Sequence, residues 1–248
     1  MKKHSIWVGF FAFMTLGTFV QAQEKELHHY LSLEDVASSL ELLPPPPAVN
    51  SILFLNDEAQ YRWGKMQRPT PRGDQAVSDA RLYGDGVAKS FSEAFGMTIS
   101  KEGTPEIYKL ISHFREDAGD YATRSAKEYY MRMRPFTFYN EDTCNTEQQQ
   151  GLSTNGSYPS GHTAIGWATA LVLAEINVER QNEILKRGYE IGQSRVICGY
   201  HFQSDVDAGR LVASAVVARL HANKEFMNQL NKAKAEFAKL SGDSGNRR

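Results

Sequence analysis

The sequence predicts an all-α fold in a single multi-helix domain. Three observations carry this. Apolar residues recur at a spacing of three to four through most of the chain, the spacing of one helix face. Strand signals are scarce. Proline and threonine punctuate the periodic segments where helices start and stop, as at Thr104-Pro105 and Pro135.

Taken in order, Ser32 is placed to cap a short helix over 33–43, and Pro44–Pro47 then force about 12 Å of polyproline II. Such a strap is too short to link independent domains; it suits a surface strap or a subunit contact. In 51–67, Ile52, Leu55, Ala59 and Trp63 keep helical spacing, and 81–96 mixes glycine breaks with a short helix. Residues 104–135 read as one long helix with a break at Gly119 and a stop at Pro135. Residues 160–176 are nearly all apolar, so this should be the most buried helix. Amphipathic helices follow over 179–197 and 204–222, then a charged one over 224–240, with "SGDSGNRR" as an unstructured tail. Residues 136–158 lack periodicity, and a 23-residue loop of that kind is either a lid or a surface loop.

The N-terminus begins Met1-Lys2-Lys3 and runs apolar from Ile6 to Val20. As a helix those 15 residues span about 22 Å, short of a membrane core of roughly 30 Å. Val20-Gln21-Ala22 supplies small residues for cleavage, so residues 1–22 are expected to be an export signal and 23–248 the domain. Without Lys2 and Lys3, 26 Lys and Arg face 29 Asp and Glu. That near balance gives no support to nucleic-acid binding, and no later apolar run is long enough to span a membrane. Cys144 and Cys198 are the only cysteines. In an exported chain they suit a disulfide; two buried thiols are the alternative.

Three groups of residues point to anion chemistry. Lys127 and Arg134 stand seven apart, hence on one face of the expected helix. A solvated basic face would look the same. Ser160, Gly161 and His162 sit where the apolar helix begins, a place for a cap or for an anion held by free amides and the positive helix end. His162 there could deliver a proton. His201 and Asp205 stand four apart, so a carboxylate could fix the imidazole tautomer and leave the other nitrogen to attack; a helix cap and a surface contact would share that spacing. Arg195 adds a forked donor suited to phosphate oxygens.

In order, Lys-x6-Arg-Pro, Pro-Ser-Gly-His and Ser-Arg-x5-His-x3-Asp resemble the type 2 phosphatidic acid phosphatase superfamily, which also holds the vanadium haloperoxidases. "GSYPSGHT", "LLPPPPAVNSILFLND" and "EDAGDYATRSAKEYYMRMRPF" are similar to its bacterial class A non-specific acid phosphatases, so the resemblance covers nearly the whole chain after residue 22. It implies hydrolysis of small phosphate monoesters in the periplasm, with His201 as nucleophile, Asp205 behind it and His162 as acid and base. Lys127, Arg134, Arg195, Ser160 and the Gly161 amide would hold the phosphoryl oxygens. It further implies that no cofactor is needed, that phosphoryl transfer to other alcohols is a side activity, and that the protein forms a homo-oligomer. A Cys144–Cys198 disulfide would tie the 136–158 loop to the nucleophile. The rivals are a vanadate-dependent haloperoxidase using the same pocket, a lipid phosphatase, which would need membrane spans, and a non-catalytic phosphate-binding helical protein.

Overall fold

The computed structural model describes residues 29–245; the expected signal at 1–22 and the last three residues lie outside them. Among the described residues no strand occurs and the α-helices number twelve. They are α1 (Ser39–Leu42), α2 (Ile52–Gln67), α3 (Pro71–Ser78), α4 (Gly86–Phe95), α5 (Pro105–His113), α6 (Ala122–Tyr130), α7 (Pro135–Phe138), α8 (Gln149–Ser153), α9 (Gly161–Ile176), α10 (Gln181–Ile197), α11 (Gln203–Leu220) and α12 (Lys224–Gly245).

The apolar helix expected over 160–176 is the hub. Ten of its residues are buried, from Thr163 to Ile176, and α10 and α11 lie against it on two sides. The α9–α10 crossing depends on absent side chains. A Cβ on Gly188 would stand 2.3 Å from the Ala170 Cβ, a separation no pair of carbons tolerates. Leu173 is fully buried in this core, and truncating it to alanine is worth about 2–5 kcal/mol. The hub holds the start of α9 in place, and the candidate site is built there.

Several expected elements are revised. Ser32 does not cap a helix: its amide and hydroxyl both bond the Asp35 carboxylate in a turn, and α1 begins only at Ser39. Helix α2 presents its apolar stripe outward: Ile52, Leu55, Ala59 and Trp63 are exposed, while Phe54, Asp57, Tyr61 and Gly64 face the core. Asp57 and Tyr61 can turn inward because both are hydrogen bonded there, Tyr61 to Glu141 at 2.5 Å. The long helix expected over 104–135 is three pieces, α5, a π-helical turn at Asp117–Tyr121 around Gly119, and α6. It ends at Tyr130 because Met131 takes φ 40°, a left-handed stop. Pro135 opens α7 rather than closing the long helix.

Residues 136–158 are not one irregular loop: they hold most of α7, a 3₁₀ turn at Thr146–Gln148 and α8. Helix α3 was not anticipated, although Thr70-Pro71 has the form of a helix start. The charged last helix reaches Gly245, so the tail is helical over its first five residues. The Cys144–Cys198 disulfide is present, with Cα atoms 4.6 Å apart, and the Cys144 amide also donates to the Cys198 carbonyl. No helix among the described residues is long and apolar enough to cross a membrane.

Candidate active site

Ser160 caps α9. Its hydroxyl accepts from the Thr163 amide at 3.3 Å and from the Thr163 hydroxyl at 2.9 Å, which leaves its own proton to donate. The Ser160 amide donates to the Asp205 carbonyl, so the starts of α9 and α11 are pinned together. Gly161 follows as the first helical residue. A Cβ there would stand 2.5 Å from the carbonyl oxygen of Gly119 in the π turn. Only glycine lets that turn close over the helix end.

Lys127 and Arg134 do not share a helix. Lys127 belongs to α6, while Arg134 has extended backbone just before α7. They meet nonetheless: both donate to the Gly156 carbonyl, at 3.0 Å from the lysine and 3.3 Å from Arg134 Nη2. Arg134 is buried, its Nε held by the Leu152 and Asn155 carbonyls. Burial, with Arg134 beside it, pushes Lys127 down to about 7.

Arg195 is the most telling side chain. It lies on α10, has no exposed surface, and stacks over the Tyr200 ring at 4.0 Å. Among the described residues none of its three guanidinium nitrogens has a hydrogen-bond partner. Burial pulls its pKa down to about 9. A buried, unpaired guanidinium costs several kcal/mol unless an anion meets it.

His201 precedes α11. Arg134 Nη1 lies 3.0 Å from its Nε2, and a guanidinium can only donate, so Nε2 carries the lone pair and Nδ1 the proton. That proton faces the Ser157 carbonyl at 2.9 Å, with the Asp205 carboxylate 3.5 Å away. Asp205 is fully buried. Its Oδ2 accepts from the Ser157 hydroxyl at 2.5 Å and from the Phe202 amide at 2.8 Å. Asp205 is therefore both a helix cap and the histidine's neighbour. Burial opposes its ionisation, yet Arg132 beside it holds the carboxyl well below the usual range. Burial, then Arg134, pushes His201 well below the ordinary histidine value.

His162 is half-buried, with Nε2 3.2 Å from the Ala80 carbonyl, which can only accept. The Nε2 proton is thus spoken for, and Nδ1 is the nitrogen left for chemistry. Burial, then Arg195 and His201, lowers its pKa well below 6.5.

Four participants were missed by sequence reasoning: Arg132, Asp57, Ser157 and the Ala80 carbonyl. Asp57 had one usable signal, an acid three residues after Phe54 and four before Tyr61, hence on their helix face; a backbone carbonyl has none.

What the arrangement offers is a cluster of buried cations around two histidines with opposite tautomers. The sequence pattern of the PAP2 superfamily matches residues 118–227. A non-specific acid phosphatase from Providencia stuartii is 66% identical over 212 residues, covering 86% of each chain. That decides the family. The chain belongs to the bacterial class A non-specific acid phosphatases. A non-specific acid phosphatase from Salmonella typhimurium is 41% identical over 94% of this chain and 92% of its own, and an acid phosphatase from Zymomonas mobilis is 36% identical over 79% and 74%. This acid phosphatase is a hydrolase of the PAP2 kind, and small-molecule phosphate monoesters are its substrate class.

Proposed function

We propose that the enzyme hydrolyses phosphate monoesters, nucleotides among them, through a phosphohistidine on His201 and without a metal. The observation that carries this is Arg195, buried with all three nitrogens unpaired and beside two other depressed cations. Lys127, Arg134, Arg195, Ser160 and the Gly161 amide hold the phosphoryl oxygens, where negative charge spreads in the transition state.

His201 Nε2 gives its lone pair to phosphorus as the P–O bond to the alcohol breaks. His162 enters this step as the imidazolium, its Nε2 proton kept on the Ala80 carbonyl, and the leaving oxygen takes the proton from Nδ1. Asp205 then faces a positively charged phosphoimidazole. In the second half His162 Nδ1 takes a proton from water, the water oxygen attacks phosphorus, and the P–N bond breaks to release phosphate. Another alcohol in place of water gives phosphoryl transfer as a side activity. Residues 1–22 direct export to the periplasm, and the outward stripe of α2 supports assembly as a homo-oligomer.

The test is hydrolysis of radiolabelled p-nitrophenyl phosphate near pH 6 with excess EDTA, with rapid alkaline denaturation to trap labelled protein, since the P–N bond survives alkali and not acid. Turnover with label on His201, lost in His201→Ala, is expected. Turnover that EDTA abolishes, or an unlabelled protein, would sink the mechanism; peroxide-dependent halide oxidation with added vanadate would point to the haloperoxidase reading.

A further inference from the structure

Asp205 has two carboxylate oxygens, and His201 and Ser157 account for only one of them. The other, Oδ1, accepts from Arg132 Nη1 at 2.5 Å. The same Nη1 donates to the Ser204 hydroxyl at 2.7 Å, and Nη2 donates to Asp57 Oδ2 at 2.7 Å. The guanidinium face lies on the Phe202 ring, 4.5 Å from its centroid. Asp57, fully buried on α2, also takes the Ser204 amide at 2.8 Å and hydroxyl at 2.6 Å. Arg132 is 9% exposed, and both its terminal nitrogens are engaged by these partners, which take three of its five N–H donors. Lys127 and Arg134 flank it in sequence, but its reach is to the back of Asp205.

We propose that Arg132 is a positioning residue: anchored by Asp57, it holds the Asp205 carboxylate against the proton-bearing side of His201. This rests on the phosphohistidine reading above. Its chemical consequence is confined to kcat. When His201 Nε2 bonds to phosphorus the ring becomes cationic, and a carboxylate fixed 3.5 Å from Nδ1 stabilises that cation more than the neutral ring. A carboxylate free to swing toward Ser204 does not.

The experiment is a double-mutant cycle on the full chain with p-nitrophenyl phosphate, using inorganic phosphate as competitive inhibitor. Arg132→Met is expected to lower kcat about tenfold or more with the phosphate inhibition constant within about threefold, and to cost less than about twofold in an Asp205→Asn background. Arg132→Lys, which keeps one contact, should recover part of the loss. Should Arg132→Met fail to fold, Asp57→Asn makes the same test from the far side: a smaller fall in kcat that disappears in Asp205→Asn. Losses that multiply in the double variant, or a kcat per folded molecule unchanged while only thermal stability falls, overturn the proposal. If His201→Ala and Asp205→Asn themselves keep full turnover, it is the phosphohistidine reading that has failed.

Discussion

Arg134 Nη1 points at His201 Nε2 across 3.0 Å, the nitrogen that carries the ring's lone pair. The arginine occupies the side from which a phosphoryl group must arrive, and its Nε is fixed by two backbone carbonyls. Lysine cannot keep the planar fork. Arg134→Lys is therefore expected to lose about 10²–10³ in kcat/KM, read from steady-state hydrolysis of p-nitrophenyl phosphate. Wild-type kinetics would remove Arg134 from the phosphate set.

The site is a store of unfavourable charge. Lys127, pushed down to about 7 by burial and then by Arg134, is harder to charge folded than unfolded. Between about 7 and the ordinary lysine value near 10.4 the unfolded chain binds the extra proton, so this group's contribution to stability rises with pH through that window and is least favourable below it. Lys127→Met should raise the Tm of the ligand-free protein by roughly 2–4 °C, the shift of about 1 kcal/mol in a chain of this size, while abolishing turnover. Inorganic phosphate should raise the wild-type Tm and leave the variant's nearly unmoved. Calorimetry with and without phosphate decides both.

Both site histidines are held below the usual value, His162 by burial and Arg195, His201 by burial and Arg134. Nitrogen-15 NMR of labelled histidine should show both neutral at pH 7 and titrating below about 6.5. Saturating phosphate brings negative charge into the pocket, which favours the imidazolium, so the His162 titration should move up. An unshifted His162 would place it away from the phosphoryl group. The depressed His201 value keeps its lone pair available in mild acid, so activity should peak on the acid side of neutrality.

The disulfide joins residues 54 apart and lies three residues before His201. Closing a loop of that size is worth about 4 kcal/mol in the chain-entropy model. Cys144→Ser with Cys198→Ser should lower the denaturation midpoint accordingly and also reduce kcat, because Cys198 leads directly into the Gly199 turn that places His201. Equal stability and activity in the double variant would make the bond incidental.

The outward stripe of α2 includes Ile52 at 81% and Met66 at 71% exposure, unusual for an isolated surface. Light scattering should find more than one subunit, and Leu55→Glu should reduce the mass to one chain. A wild-type monomer contradicts the assembly.

The residues proposed to carry chemistry stand out in the sequence because their types and order are narrow: an arginine, a histidine and a carboxylate at fixed spacings have few uses together. The fold class was legible from periodicity alone. The path of the chain between those residues was not. Lys127 and Arg134 were expected on one helix face, and only the left-handed Met131, a conformation its sequence does not advertise, shows that they converge from two segments. Periodicity revealed that 51–67 is helical but not which stripe turns inward, because Asp57 and Tyr61 are buried by partners far away in sequence. The acceptor for His162 is a main-chain oxygen at Ala80, which any residue could have supplied.

The bond from the Ser204 amide to Asp57 spans 147 positions. The stretch recognisable as PAP2 begins at residue 118, after Asp57 and Ala80 have already passed. A fragment cut to the recognisable stretch would contain every residue expected to touch phosphate, yet would lack the anchor behind Asp205 and the acceptor that sets the tautomer of His162. The unit that can be recognised and the unit that can work have different borders, and an excised motif region is expected to be inert for want of parts that never meet the substrate.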